Sequence, residues 1–182
     1  VYSASAKEVT ITEINEFNGT NQTVTLKTRV DNVEQALEEH GVDVSESDKI
    51  NVPVDSELDK TNNIVITRGK QVTIKNGDAE EGVTVTKADT TDALVEAGYI
   101  PGEYDEISSN GQSLADSDTI EIVSVSYEEE KQVTPIEFSV EYIDDPSIPK
   151  GETRVVTEGS AGEKTTVYNV EYRNNIEVSR NI

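Results

Sequence analysis

Apolar and polar residues alternate in short runs along this chain, and the same succession of runs occurs twice. Val9-Thr10-Ile11 opens the first succession and Val72-Thr73-Ile74 the second. Alternation over 9–14, 23–28, 71–75 and 82–87 predicts half-buried strands in pairs. Asn18-Gly19 and Asn76-Gly77 lie between the members of each pair, and Asn-Gly supplies the positive φ that a tight hairpin requires. The period then lengthens. Val33, Ala36, Leu37 and His40 share one face at helical spacing, with Asn32 as the N-cap and Glu34, Gln35, Glu38 and Glu39 facing outward. Gly41 stands where a left-handed C-terminal cap belongs. Thr90, Ala93, Leu94 and Ala97 predict a second helix, closed by Gly98 and kept short by Pro101. Ile64-Val65-Ile66 and Ile120-Glu121-Ile122-Val123 each read as a returning strand.

Further landmarks keep the same order in both halves. Leu37-Glu38-Glu39-His40-Gly41 parallels Leu94-Val95-Glu96-Ala97-Gly98, and Asp48 and Asp105 each follow their glycine by seven residues. Leu58 with Ile64 and Ile66 corresponds to Leu114 with Ile120 and Ile122. The chain therefore contains an internal repeat, 7–69 and 70–127. Hairpin, helix and returning strand make the β-grasp plan of ubiquitin, in which a helix crosses one sheet face and lets a small unit bury a core. Residues 1–6 precede the first repeat. Ala4-Ser5-Ala6 matches the small-x-small pattern of signal-peptide cleavage and is expected to be a leader remnant, with the mature chain starting near Lys7.

From 128 onward the pattern changes. Glu128-Glu129-Glu130-Lys131 reads as a charged joint, and Ile136, Phe138, Val140 and Tyr142 alternate with polar residues as a strand does. Asp144-Asp145-Pro146 and Pro149-Lys150-Gly151 predict an open loop, Arg154–Thr157 a strand and Gly159-Ser160-Ala161-Gly162 a turn. Tyr168, Val170 and Tyr172 lead through Asn174-Asn175 into Ile176 and Val178, a hairpin-like pair. No helix is predicted. The scarcity of large aliphatic residues implies a thin, elongated sheet with little core. The fold class is α+β: two β-grasp modules followed by an all-β module at 128–182.

Composition narrows the function. A net charge of −22, with 37 acidic and 15 basic residues and no basic stripe, excludes nucleic acid as an expected partner and disfavours anionic lipid. No apolar run approaches the roughly 20 residues of a membrane helix. Cysteine is absent and histidine occurs once, so zinc would have to rely on carboxylates. Asp144 and Asp145 lack EF-hand spacing, and no metal or cofactor is expected. Carboxylate pairs such as Asp116/Asp118 carry no glycosidase signal in so acidic a chain, and nothing places a nucleophile beside His40. No catalytic residue is assigned, and the fragment is read as no enzyme. Sugar binding needs flat rings rimmed by planar polar groups. The tail supplies Tyr142, Tyr168 and Tyr172, with Arg154, Asn169 and Arg173 near them in sequence. The same tyrosines also serve as cover for a thin sheet.

Pro135-Ile136-Glu137-Phe138, Tyr142, the 145–151 loop, Gly159-Ser160-Ala161-Gly162 and Tyr168-Asn169-Val170 resemble the G-five (five-glycine) domain. Gly151, Gly159 and Gly162 occupy family glycine positions, and Asn175 stands where a late glycine is common. The two repeats resemble the ubiquitin-like modules that precede this domain in resuscitation-promoting factors and related Gram-positive cell-wall proteins. The resemblance implies an extracytoplasmic, secreted or wall-associated location. It also implies a tail that binds peptidoglycan or another N-acetylglucosamine-containing glycan, and repeats that act as spacers. A peptidoglycan-cleaving domain is expected C-terminal to Ile182 in such proteins. Two other readings stand beside this one: an adhesion stalk without glycan affinity, and wall hydrolysis within the fragment itself. An elongated monomer is expected.

Overall fold

The computed structural model describes residues 5–59, 62–111 and 113–182. Ala4 of the expected leader remnant lies outside them. The fold is α+β and sheet-rich, and its internal contacts divide it into two compact units, one running to Val125 and the other from Ser126 to Ile182.

The first unit holds two four-stranded sheets with matching topology. In the first, β1 (Lys7–Asn15) pairs antiparallel with β2 (Thr20–Thr28), the chain passes through α1 (Val33–Glu39) and β3 (Lys49–Ile50), and β4 (Asn63–Thr67) returns parallel to β1. The order across the sheet is β2-β1-β4-β3. In the second, β5 (Lys70–Asn76), β6 (Ala79–Val85), α2 (Thr90–Glu96), β7 (Glu106–Ser109) and β8 (Thr119–Val123) repeat this as β6-β5-β8-β7. A parallel pair needs a crossover, and the helix supplies it while covering one sheet face. That face is where the core sits. Val9, Ile11, Val33, Leu37, Ile64 and Ile66 are buried together in the first half, and Val72, Ile74, Leu94, Leu114, Ile120 and Ile122 in the second. The opposite face of the β1–β2 pair is polar, with hydroxyl pairs Thr10–Thr25 at 3.2 Å and Thr12–Thr23 at 3.0 Å.

The helix ends follow from their residues. The Asn32 side chain accepts from the Gln35 N–H at 3.0 Å, and Asp89 caps α2 by accepting from the Thr91 and Asp92 N–H groups. At the C-terminal ends Val42 N–H reaches Leu37 O at 2.9 Å and Gly41 N–H reaches Glu38 O at 3.1 Å, a Schellman motif. Tyr99 to Leu94 and Gly98 to Val95 repeat it at 2.9 and 3.0 Å. Gly41 and Gly98 hold φ of +68° and +89°, which a Cβ would penalise. The paired strands, helices and returning strands lie where the pattern places them. The short strands β3 and β7 are additions that begin immediately after Asp48 and Asp105.

The second unit departs from its sequence reading. Its sheet has three strands, β11-β10-β9, with β9 spanning Val125–Ile136, β10 Gly162–Arg173 and β11 Ile176–Asn181. Glu128–Lys131, expected as a joint, lies within β9. The strand expected from Ile136 to Tyr142 stops at Ile136, and Arg154–Thr157 forms none. Alternation signals a strand only where a neighbour completes its hydrogen bonds and one face is covered. β10 gives β9 that neighbour, whereas Val140, Tyr142 and Ile143 are 65, 80 and 78% exposed, with no apolar layer over them. Pro135 is tolerated because β9 is an edge strand. Gly162, expected in a turn, instead begins β10. The β10–β11 hairpin is as expected: Asn174 and Asn175 have φ of 47° and 64°, both positive as a type I′ turn requires. Gly151 has φ of +95°. Val170 is the one fully buried large side chain of this unit among the described residues.

Candidate glycan-binding face

Successive residues of a strand point to opposite faces, and this separates the candidates. On β10, Tyr168, Val170 and Tyr172 point one way, and Asn169, Glu171 and Arg173 the other. Tyr142 and Arg154 lie off the sheet, in the segment between β9 and β10. The structure therefore brings Tyr168 and Tyr172 together and leaves the other four candidates elsewhere. Arg154 sits 3.7 Å from Asp145, whose Oδ1 accepts from the Ser147 N–H and hydroxyl. On the reverse face, Arg173 Nε donates to Glu171 Oε1 at 2.9 Å.

The Tyr168–Tyr172 face is completed by residues that the pattern did not single out. Glu171 pairs with Ser179 but Tyr172 pairs with Glu177, so β11 carries one extra residue, Val178, as a bulge. The bulge resets the alternation, and Glu177 and Arg180 both reach the Tyr172 side. Arg180 Nε and Nη2 grip the two oxygens of Glu177 at 2.8 Å each, and Nη1 donates to Glu130 Oε2 at 2.7 Å. Its guanidinium carbon lies 5.3 Å from the centre of the Tyr168 ring, a cation–π distance. The Tyr172 hydroxyl donates to Glu130 Oε1 at 2.9 Å, and the Tyr168 hydroxyl to Gln132 Oε1 at 3.1 Å. Buried Val170 lies under this polar layer.

The electrostatics follow from those bonds. Arg180 and the Tyr172 hydroxyl hold the Glu130 carboxyl below its ordinary range, and Arg180 does the same to Glu177. Glu130 in turn pushes the Tyr172 phenol up. Both carboxylates stay ionised at neutral pH, whereas a glycosidase general acid needs a raised pKa. The arrangement suits recognition: two half-exposed rings offer apolar faces, and a fixed guanidinium, two carboxylates and an amide present hydrogen-bonding groups beside them. Glu130 was hidden because an acidic run reads as solvated surface, and Arg180 because only the bulge brings it to this face.

His40 caps the end of α1, with Nε2 buried, without a hydrogen-bond partner and 4.0 Å from Glu39 Oε2. No cluster of three or more metal-ligating side chains occurs among the described residues. No helix among them is long and apolar enough to cross a membrane.

Comparison with known families adds an independent observation. Residues 127–182 match the G5 domain, and residues 21–55 match the G5-linked ubiquitin-like domain. Both matches are consistent with the ubiquitin-like and G-five resemblance read from the sequence. Both are non-catalytic domain families that occur in cell-wall-associated proteins. No curated protein matches the chain.

Proposed function

We propose that this chain is a non-catalytic, extracytoplasmic part of a wall-remodelling protein, in which two β-grasp modules, 7–69 and 70–127, space an all-β G5 module, 128–182, that binds peptidoglycan glycan. The observation that carries this reading is the G5 match coinciding with a sheet that presents Tyr168 and Tyr172 beside Arg180. A pyranose has one apolar face and a rim of hydroxyls. The tyrosine rings suit the face, and Glu130, Gln132 and Glu177 suit the rim. Asn169 and Arg173, on the reverse side, and Tyr142 and Arg154, off the sheet, stand as secondary candidates. Gly159 supports the module by packing: a Cβ there would lie 2.2 Å from the Phe138 ring.

Sedimentation of the intact chain with purified peptidoglycan tests the proposal. Binding is expected, with loss in the Tyr168→Ala variant and retention in Arg173→Ala. An absence of co-sedimentation by the wild-type chain at moderate salt would leave the stalk reading in its place.

A further inference from the structure

The two repeats differ most at their first hairpin loops. In the second repeat the loop between β5 and β6 is Gly77-Asp78, whereas in the first the loop between β1 and β2 is Glu16-Phe17-Asn18-Gly19. The additional Glu16-Phe17 pair leaves its own repeat. Phe17 packs against the hydrophobic core of the second repeat, with Lys70 Nζ 5.9 Å from its ring centre. That ammonium is itself fixed by the Leu114 and Ser117 carbonyls at 2.8 and 2.7 Å. Glu16 accepts from Lys87 Nζ at 2.7 Å and from the Ala88 N–H at 3.3 Å, just before α2. Among the described residues the first repeat offers no matching receptor for a loop of this kind. Val30 stands at the place of Lys87 and acidic Asp31 at that of Ala88, and Lys7 is already bound by Asp31 and Asp59.

A second contact holds the joint itself. Asp48 Oδ1 accepts from the Gly69 N–H at 2.9 Å, and its Oδ2 accepts from Arg68 at 2.8 Å. Arg68 also reaches Glu13 at 2.5 Å and the Asp43 carbonyl at 2.6 Å. Gly69 passes so close to Ser47 that a Cβ would lie 1.6 Å from its carbonyl oxygen. In the second repeat Asp105 makes the matching bond to the Val125 N–H at 3.1 Å. The aspartate seven residues past each helix-ending glycine therefore pins the backbone as it leaves the returning strand. Across the same boundary Lys49 reaches Glu96 at 2.5 Å.

We infer that the Glu16-Phe17 loop is a docking element whose partner is the following repeat, and that with the Asp48 clamp it locks the two repeats into one rigid, cooperatively unfolding body. Three contacts spread over the loop, the joint and the β3–α2 boundary oppose both bending and twisting, which a lone linker cannot do. The coupling stands whether or not the C-terminal sheet binds glycan.

Native-state hydrogen exchange and residual dipolar couplings on the intact chain test it. In the wild type both repeats are expected to fit a single alignment tensor. Phe17→Ala is expected to speed exchange of the β5 and β8 amides about tenfold, because an aromatic ring leaves a core it half-enters. Glu16→Lys is expected to separate the tensors, and Glu16→Lys combined with Lys87→Glu to restore one. Separate wild-type tensors would overturn the inference. So would Phe17→Ala effects confined to the β1–β2 hairpin, where the loop would be acting only on its own repeat.

Discussion

Glu96 allows the contact between repeats to be weighed by pH. Its side chain is 15% exposed, and burial pushes its carboxyl up. Lys49, the Thr86 hydroxyl and the Thr86 N–H outweigh burial, with donor distances of 2.5, 2.7 and 2.7 Å, and hold it down to about 2. A carboxylate with a depressed folded pKa contributes stability that is fully present above its unfolded value, and loses it as pH falls toward the folded one. The window is therefore about pH 5 to 2. At about 1.4 kcal/mol per pH unit the full shift corresponds to at most about 3.5 kcal/mol. Lys49 is largely exposed, so solvent screening reduces the expected net contribution to about 1–2 kcal/mol. A net charge of −22 repels itself, and other paired carboxylates such as Glu130 and Glu177 also lose stability on protonation, so the total change over the same range masks the step. The difference between wild type and Glu96→Gln removes that background. Urea unfolding from pH 7 to 2 is expected to show Glu96→Gln less stable by about 1–2 kcal/mol at pH 7, with the gap closing below about pH 4. A gap that stays constant with pH, or a variant as stable as wild type at pH 7, would refute the reasoning.

Leu94→Ala is expected to cost about 2–5 kcal/mol, since Leu94 is fully buried on the core-facing side of α2; calorimetry of the intact chain reads this as a lowered transition. Gly159→Ala is expected to displace the Phe138 ring, whereas Gly162→Ala meets only an ordinary 3.7 Å contact with Ile136; the Phe138 ring resonances by NMR distinguish the two. Asn175→Gly is expected to be neutral and Asn175→Val to cost about 1–2 kcal/mol, because φ there is +64° and a β-branched residue resists it. Denaturant midpoints of the two variants test that difference.

Legibility varied along the chain for physical reasons. Both helices and the strands around them follow local rules, in which spacing selects the helix and Asn, Asp and Gly end it. Core residues such as Leu37 and Leu94 were visible because each repeat buries one face against one helix. The tail offered less. With only Val170 fully buried among the described residues of this unit, alternation there lost its usual meaning: the alternating run from Phe138 to Ile143 is not a strand, and the glutamate-rich run from 128 to 131 is. Strand pairing with β10 made that decision. Of the candidate site residues, Tyr168 and Tyr172 share a face of β10, whereas strand alternation turns Asn169 and Arg173 to the other.

By itself, then, the sequence determined what depends on neighbours within a turn or two: the internal repeat, the helix caps, the Asn174-Asn175 hairpin and the apolar faces. Only the tertiary structure decided what depends on distant partners. It assigned Asp48 and Asp105 to the backbone of the departing chain, packed Phe17 against the core of the other repeat, and used a single extra residue, Val178, to bring Arg180 onto the tyrosine face. Periodicity records which way a side chain points along its own strand, and says nothing of the residue that will meet it from elsewhere in the chain.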